Sequence, residues 1–262
     1  MSNFPIPLQL GGVREDSGAL KVVTTAATIN TKSAWVEMIA STAEDWIGFY
    51  LKIRQWLGSQ EVIVWDVAVG ASGSEVIILP NWLEQKGSDG HHATYGPFFA
   101  PIPAGSRIAI RNQNQVTLSS ANATAGISGI TGSDWSLPSP SKMIDIGVDL
   151  TNTQGTTVLG ASGSGTWVEI DASLAEDISG LILHLDQQTN ADSAAQIQIG
   201  IGASGSEVVL TPTIEASIAN GQRHALPQHL SLPYAITAGT RIAARIAGNT
   251  VNWGVSFTGL VL

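Results

Sequence analysis

Residues 35 to 110 of this chain are written a second time at 167 to 244. Trp35-Val36-Glu37 returns as Trp167-Val168-Glu169, and Ala43-Glu44-Asp45 with Gly48 returns as Ala175-Glu176-Asp177 with Gly180. Gly70-Ala71-Ser72-Gly73-Ser74-Glu75-Val76 returns as Gly202-Ala203-Ser204-Gly205-Ser206-Glu207-Val208. Ala104-Gly105-Ser106-Arg107-Ile108-Ala109 matches Ala238-Gly239-Thr240-Arg241-Ile242-Ala243 after a net two-residue insertion. A repeat this long is not a solenoid unit, so each copy has to be a complete domain with its own core.

Hydrophobic residues make up 44% of the 262 positions, enough for two modest cores rather than one large multilayer enzyme. Only 13% are charged, and the abundance of Gly, Ser, Thr and Asn reads as strands joined by tight turns. The net charge of -9, with 12 Lys and Arg in all, excludes wrapping nucleic acid, which needs clustered cations. The absence of cysteine excludes disulfides, thiolate metal sites and thiol chemistry, and suits folding in a reducing cytoplasm. No signal-peptide pattern opens the chain and no run approaches the ~20 apolar residues that span a bilayer, so neither secretion by a leader nor membrane insertion is expected.

Residues 1–18 read as an arm, because Pro5 and Pro7 block ladder pairing and Gly11-Gly12 loosens the chain. Residues 19–132 form a first domain, 133–142 a stiff Pro/Ser linker and 143–262 a second domain. Phe49, Leu51 and Ile53 alternate with Tyr50, Lys52 and Arg54, as Leu181, Leu183 and Leu185 alternate with Ile182, His184 and Asp186. Trp65, Val67 and Val69, and their counterparts Ile197, Ile199 and Ile201, alternate in the same way. This period of two predicts half-buried sheets, about eight strands per copy. The fold class is all-β: two tandem homologous antiparallel β-sandwiches of jelly-roll type. The tract Asn81 to Pro97 and its counterpart Thr213 to Pro227 read as long loops, the first with a helical turn near Trp82-Leu83-Glu84.

Several motifs fail on context. Gly200-Ile201-Gly202-Ala203-Ser204-Gly205 matches a dinucleotide fingerprint, yet Ser206 to Pro212 continues as strand where a helix N-terminus is needed, so it reads as a hairpin using glycine for positive φ. Gly70-Ala71-Ser72-Gly73-Ser74 lacks the last glycine of a nucleophile elbow. Glu44-Asp45 and Glu176-Asp177 are neighbours on a strand, pointing to opposite faces rather than into one cleft, and read as strand-entry residues. His91 and His92 beside Asp89, and His224 with His229, lack a complete ligand set, so no metal and no cofactor is expected. These loop histidines read as hydrogen-bonding contacts, and Tyr95 joins them as a contact candidate.

Glu75 with Arg107, and Glu207 with Arg241, recur at matching places and read as structural ion pairs between strands. Trp35 is matched by Trp167, and Trp46, Trp65 and Trp82 by Ile178, Ile197 and Ile214, so these positions read as core. Trp56 aligns with Gln188 and Trp135 lies in the linker. Two readings stay open for them: rings exposed to a sugar face or a protein partner, or cover for the seam between domains.

Val69 to Ile78, and Pro101-Ile102-Pro103-Ala104-Gly105-Ser106-Arg107-Ile108-Ala109, with their copies at Ile201 to Leu210 and Ile236 to Ala243, resemble the Gly/Ser hairpin and following strand of tailed-bacteriophage virion proteins. In the second copy Ala235 and Thr237 stand where the prolines would be. The resemblance implies a β-sandwich assembled in many copies in a tail, fibre or capsid appendage, without enzymatic activity. It implies a protein localised to the virion after assembly in the host cytoplasm, with other virion proteins and further copies of itself as partners. A trimer of two-domain chains would present six similar domains. The alternative is a tandem carbohydrate-binding module recognising a host-surface glycan through Trp56 and Trp135.

Overall fold

Alternation of apolar and polar side chains translates directly into strand, and among the described residues the chain contains no helix. The structure, a computed structural model, describes residues 17–55, 61–86, 91–115, 123–131, 141–187, 193–218, 229–248 and 250–261. The first copy supplies β1 (Lys21–Val22), β2 (Val36–Ile39), β3 (Trp46–Gln55), β4 (Glu61–Val69), β5 (Val76–Lys86), β6 (His91–Phe98), β7 (Ile108–Asn114) and β8 (Ala123–Thr131). They pair in the orders β1-β8-β3-β6 and β2-β7-β4-β5, every pair antiparallel. Two such sheets face to face are a jelly roll.

The second copy supplies β9 (Lys142–Ile146), β10 (Val148–Asp149), β11 (Gln154–Val158), β12 (Gly160–Ala161), β13 (Val168–Asp171) and β14 (Ile178–Gln187). It continues with β15 (Ser193–Ile201), β16 (Val208–Val209), β17 (Ile214–Ile218), β18 (His229–Leu232), β19 (Ile242–Ala247) and β20 (Trp253–Val261). One sheet runs β10-β11-β20-β14-β18 with β9 also on β20, and the other runs β12-β19-β15-β16 with β13 on β19 and β17 on β15. The only parallel pair among the described residues is β12 with β19. The duplication reaches individual irregularities: the bulge between Glu37 and Ile39 recurs between Glu169 and Asp171, and that between Trp46 and Gly48 recurs between Ile178 and Gly180.

Phe49, Leu51 and Ile53 in one copy and Leu181, Leu183 and Leu185 in the other are at most 1% exposed, and they face two separate apolar clusters. Each such burial contributes about 1.5–3 kcal/mol. Trp46 closes the first core beside Gly129: a Cβ there would stand 2.1 Å from the indole, so only glycine fits. Trp46 and Trp65 are buried, as their apolar counterparts suggest. Trp35 and Trp167, by contrast, are half-buried, each covered by a guanidinium: Arg111 lies 4.3 Å from the Trp35 ring centre and Arg245 4.6 Å from that of Trp167.

Three expectations need correction. The tract 81–97 is not a long loop with a helical turn; it is the end of β5 and most of β6, because Trp82 and Leu83 pair in register with Trp65 and Val64. Its counterpart begins as strand too, in β17, and 219–227 lie outside the described residues. The sheets are not simply half-buried either. His184 and Asp186, expected to face solvent, are each 1% exposed, and β4 is buried from Val62 to Ala68 on both of its faces. For His184 and for β4 the reason is that the two sandwiches pack against one another, whereas Asp186 is covered by Gly155 and Gly254 of its own sandwich.

Val62, Val64 and Leu83 on the outer face of the first jelly roll meet Val148 of the second. Asn81 donates to Asp145 Oδ2 at 2.8 Å, Gln113 donates to Thr153 Oγ1 at 2.9 Å, and Thr153 in turn donates to Asn30 Oδ1 at 2.7 Å. Of the expected arm, residues 1–16 lie outside the described residues, while Ser17 donates its N–H to Ile127 O at 2.9 Å. Of the expected linker, 133–140 lie outside them, and Ser141 N–H donates to Val261 O.

Candidate functional site: an aromatic cleft at the seam and twin hairpins

β5 and β6 are the edge strands of the two facing sheets of the first jelly roll. The side chains between them are large. Trp82 packs edge-on against Phe98 with ring centres 4.8 Å apart, and Tyr95 lies 5.3 Å from Trp82. The second jelly roll closes over this group with β14 and β18: His229 stacks on Trp82 at 4.4 Å and 24°, and His184 meets the same indole edge-on at 4.4 Å. Beside them opens a cleft of about 400 Å³, walled by Tyr95, Pro97 and Phe99 from the first copy and by Ile182, Ser231 and Leu260 from the second.

The titratable groups here serve to fix rings. Glu84, wholly buried, accepts from Tyr95 Oη at 2.9 Å and from Trp65 Nε1 at 3.2 Å, so both carboxylate oxygens are engaged. Burial first, then the neighbouring Glu84 charge and hydrogen bond, raise the Tyr95 phenol well above its ordinary range, which keeps it a donor. His229 Nε2 donates to Leu83 O across the seam at 2.9 Å. Burial, reinforced by His229, holds His184 well below the usual imidazole range, so it is neutral, with Nε2 2.9 Å from Thr258 Oγ1. This arrangement holds aromatic faces rigidly.

Two carboxylates, Asp66 and Asp145, lie deeper in the same seam, and a third, Asp186, lies beside Gly155 and Gly254 within the second jelly roll. Asp66 is 1% exposed and is paired with Lys32 Nζ at 2.9 Å and Arg111 Nε at 2.8 Å. Burial pushes Asp145 up to about 7, although Asn81 and Lys32 pull the other way. Asp186 is pushed up to about 6 by burial, with only the Gly155 N–H drawing it down. Asp145 Oδ1 and Asp186 Oδ2 have no hydrogen-bond partner among the described residues. A protonated acid tolerates such a place better than a carboxylate does.

The second repeated feature is the Gly/Ser hairpin. Gly70 and Gly73 take φ of 113° and 85°, and Gly202 and Gly205 take 104° and 80°, the left-handed region that the turn demands. Arg107 binds Glu37 at 2.8 Å and Glu75 at 3.1 Å; Arg241 binds Glu169 at 2.8 Å and Glu207 at 3.0 Å. The first glutamate of each trio sits in the repeated Trp-Val-Glu signature, a partner that sequence comparison offered and the expected pair left out. Burial pushes Glu75 and Glu207 up, but hydrogen bonds from their own backbone, from the hairpin glycine and from the guanidinium outweigh it and hold both below the usual carboxylate range. Just past each neutralised charge stand exposed apolar residues: Val76 at 64% and Ile77 at 40%, Val208 at 66% and Val209 at 45%. They lie on β5 and β16, an edge strand in each copy.

Asp45 and Asp177 enter strands as expected, accepting from the N–H of Ala104 and Ala238, each at 2.7 Å. Among the contact candidates, Tyr95 and His229 come together at the seam, ring centres 4.8 Å apart. His91 and His92 pair by backbone with Gln55 and Arg54 in β6, and their side chains lie outside the described residues, as do Trp56, Trp135 and His224 entirely. His184 and Phe99, which complete the site with Trp82, were not singled out; Trp82 was read as core, and it is 2% exposed. The one signal pointing to Trp82 was its size beside Tyr95 in the same tract.

No protein-family model and no curated protein sequence matches the chain. Solved structures do. PNGF-II matches at TM-score 0.50 and 8% identity over 95% of this chain and 65% of that one. PNGase F, a glycosylasparaginase from Flavobacterium meningosepticum, matches at 0.48 and 9% identity over 95% and 96%. The cowpea mosaic virus top component matches at 0.40 and 9% identity over 100% and 95%. The chain thus spans about two thirds of the length of PNGF-II, and at these identities the likeness shows the fold alone. It corrects the expectation that the chain is not an enzyme: the fold is shared with PNGF-II, and a fold by itself gives no ground for excluding catalysis. None of the three is a tailed-phage virion protein.

Proposed function

We propose that the chain is a structural component of a tailed-phage virion, docking other virion proteins and further copies of itself through its twin hairpins. One observation carries this reading: the same exposed apolar pair, Val76 and Ile77 or Val208 and Val209, stands on an edge strand at the equivalent place in each copy. Exposed apolar side chains on unpaired edges are a liability unless a partner covers them. Repetition of the patch makes each chain bivalent, as building a repetitive particle requires. The neighbouring charges fit the same use, because Arg107 and Arg241 pair with Glu75 and Glu207 and offset the one carboxylate within each hairpin on a chain of net charge -9. Pro80 interrupts the edge of β5 and Pro212 follows β16, and a proline lacks the N–H that a further strand would need, which guards against open-ended aggregation. The oligomer we propose is a trimer, giving six similar domains per ring.

The test is incorporation. Particles produced with the chain carrying Val76→Asp and Val208→Asp together should contain few copies of it relative to wild type, while the soluble variant keeps its denaturation midpoint. Undiminished incorporation would remove the hairpins as the docking surface.

A further inference from the structure

The geometry points to the seam cleft as a binding site for an uncharged sugar ring. The cleft is distinct from the hairpins, and the inference does not depend on the virion reading. Its volume of about 400 Å³ falls within the ~300–1,000 Å³ of typical ligand sites. Its walls carry two kinds of surface that occur together on one face of a pyranose and around its edge. Phe99 and Tyr95 offer half-buried aromatic faces for the C–H side of a ring, and the exposed Thr94 and Ser231 stand on opposite jelly rolls with hydroxyls for its rim.

Charge narrows the ligand class. Among the described residues the lining contains no carboxylate, lysine or arginine, and its titratable base there, His229, spends Nε2 on Leu83 O. An anionic sugar would enter without a counter-charge and against a net charge of -9. A purely apolar ligand would leave both rim hydroxyls unused. The platform is also pre-ordered: Tyr95 is tied to Glu84, and Trp82 behind it is clamped between His184 and His229, so little conformational freedom is lost on binding.

Saturation-transfer NMR on the full chain, with a panel of neutral monosaccharides and neutral oligosaccharides set beside sialylated and uronate-bearing ones, decides the matter. The expected result is saturable transfer from at least one neutral sugar, with affinity reduced roughly ten-fold in Phe99→Ala and roughly three-fold in Ser231→Ala. Thr94→Ala, at an exposed position, is the second rim variant and should weaken binding while leaving the fold intact. Transfer from no neutral sugar, a preference for the acidic ones, or equal affinity in Phe99→Ala and Thr94→Ala would each overturn the assignment. An apolar dye that binds the cleft while no sugar competes with it would overturn it as well. Failure here leaves particle incorporation untouched, and failure of incorporation leaves sugar binding untouched.

Discussion

Trp82 of the first jelly roll lies flat on His229 of the second, ring centres 4.4 Å apart and planes 24° from parallel. The indole is 2% exposed, and it also touches Phe98 of its own domain and His184 of the other. One side chain therefore belongs to a domain core and to the interface between domains. Trp82→Ala should cost about 3–5 kcal/mol and should split urea unfolding into two transitions, because it removes core and seam contacts together. His229→Ala, which removes only seam contacts, should cost less and leave the first domain's own transition in place. A single unchanged transition in Trp82→Ala would show that the seam does not couple the domains.

Gly129 and Gly259 occupy the same register position opposite Phe49 and Leu181, but their surroundings differ. A Cβ on Gly129 would stand 2.1 Å from the Trp46 ring, whereas on Gly259 the nearest atom is the flexible Ile144 side chain at 2.9 Å. Gly129→Ala is expected to destabilise by about 2–3 kcal/mol and Gly259→Ala by about 1 kcal/mol or less. Equal midpoints for the two variants in thermal denaturation would contradict the packing described for Trp46.

Stability should pass through a maximum in mildly acidic solution. Asp145 at about 7 and Asp186 at about 6 both titrate above the ~3.9 of an unfolded aspartate, so the folded chain holds more protons in between. Stability therefore falls as pH rises from ~4 through ~7, by an amount on the order of a few kcal/mol. Glu75 and Glu207 have depressed values, so their contribution is present above ~4.5 and is lost as pH falls through their folded values. Denaturation midpoints at pH 5 should exceed those at pH 8, and Asp145→Asn should flatten the alkaline limb. A midpoint that rises steadily from pH 5 to 8 would contradict the buried state of Asp145.

Arg107 and Arg241 hold their hairpins by equivalent bonds, donating to Gly70 O and Gly202 O, each at 3.2 Å, as well as to the paired glutamates. Arg107→Met and Arg241→Met should each lower global stability by only about 1 kcal/mol, as partly exposed pairs do. Both should speed amide exchange at Ser74 and Ser206, whose N–H groups close the turns on Ala71 O and Ala203 O. Exchange that changes in one copy alone would break the equivalence.

The strands and the hairpins were legible because they depend on local pattern: Phe49, Leu51 and Ile53 alternate, and glycines stand where φ must be positive. The seam was not, because it is written in residues that look solvent-facing. His184 sits at a polar position of a strand alternation and meets Trp82 of the other copy, and nothing local distinguishes a polar face covered by another domain from one covered by water. Trp82 was misplaced for a related reason. Pro80 before it and Gly87-Ser88-Asp89-Gly90 after it are turn formers, and the pairing with Trp65 that makes it strand is a long-range contact. Comparing the copies recovered Arg107 with Glu75; the same comparison applied to Glu37 and Glu169 would have completed both trios.

The most direct test of the central claim is gold-labelled antibody against this chain on purified particles from lysed host cells, viewed by electron microscopy. The account predicts label at a repeated position on the particle, at tail, fibre or capsid, in a number that reflects symmetric assembly. Particles free of label, with the protein left in the soluble fraction, would contradict it.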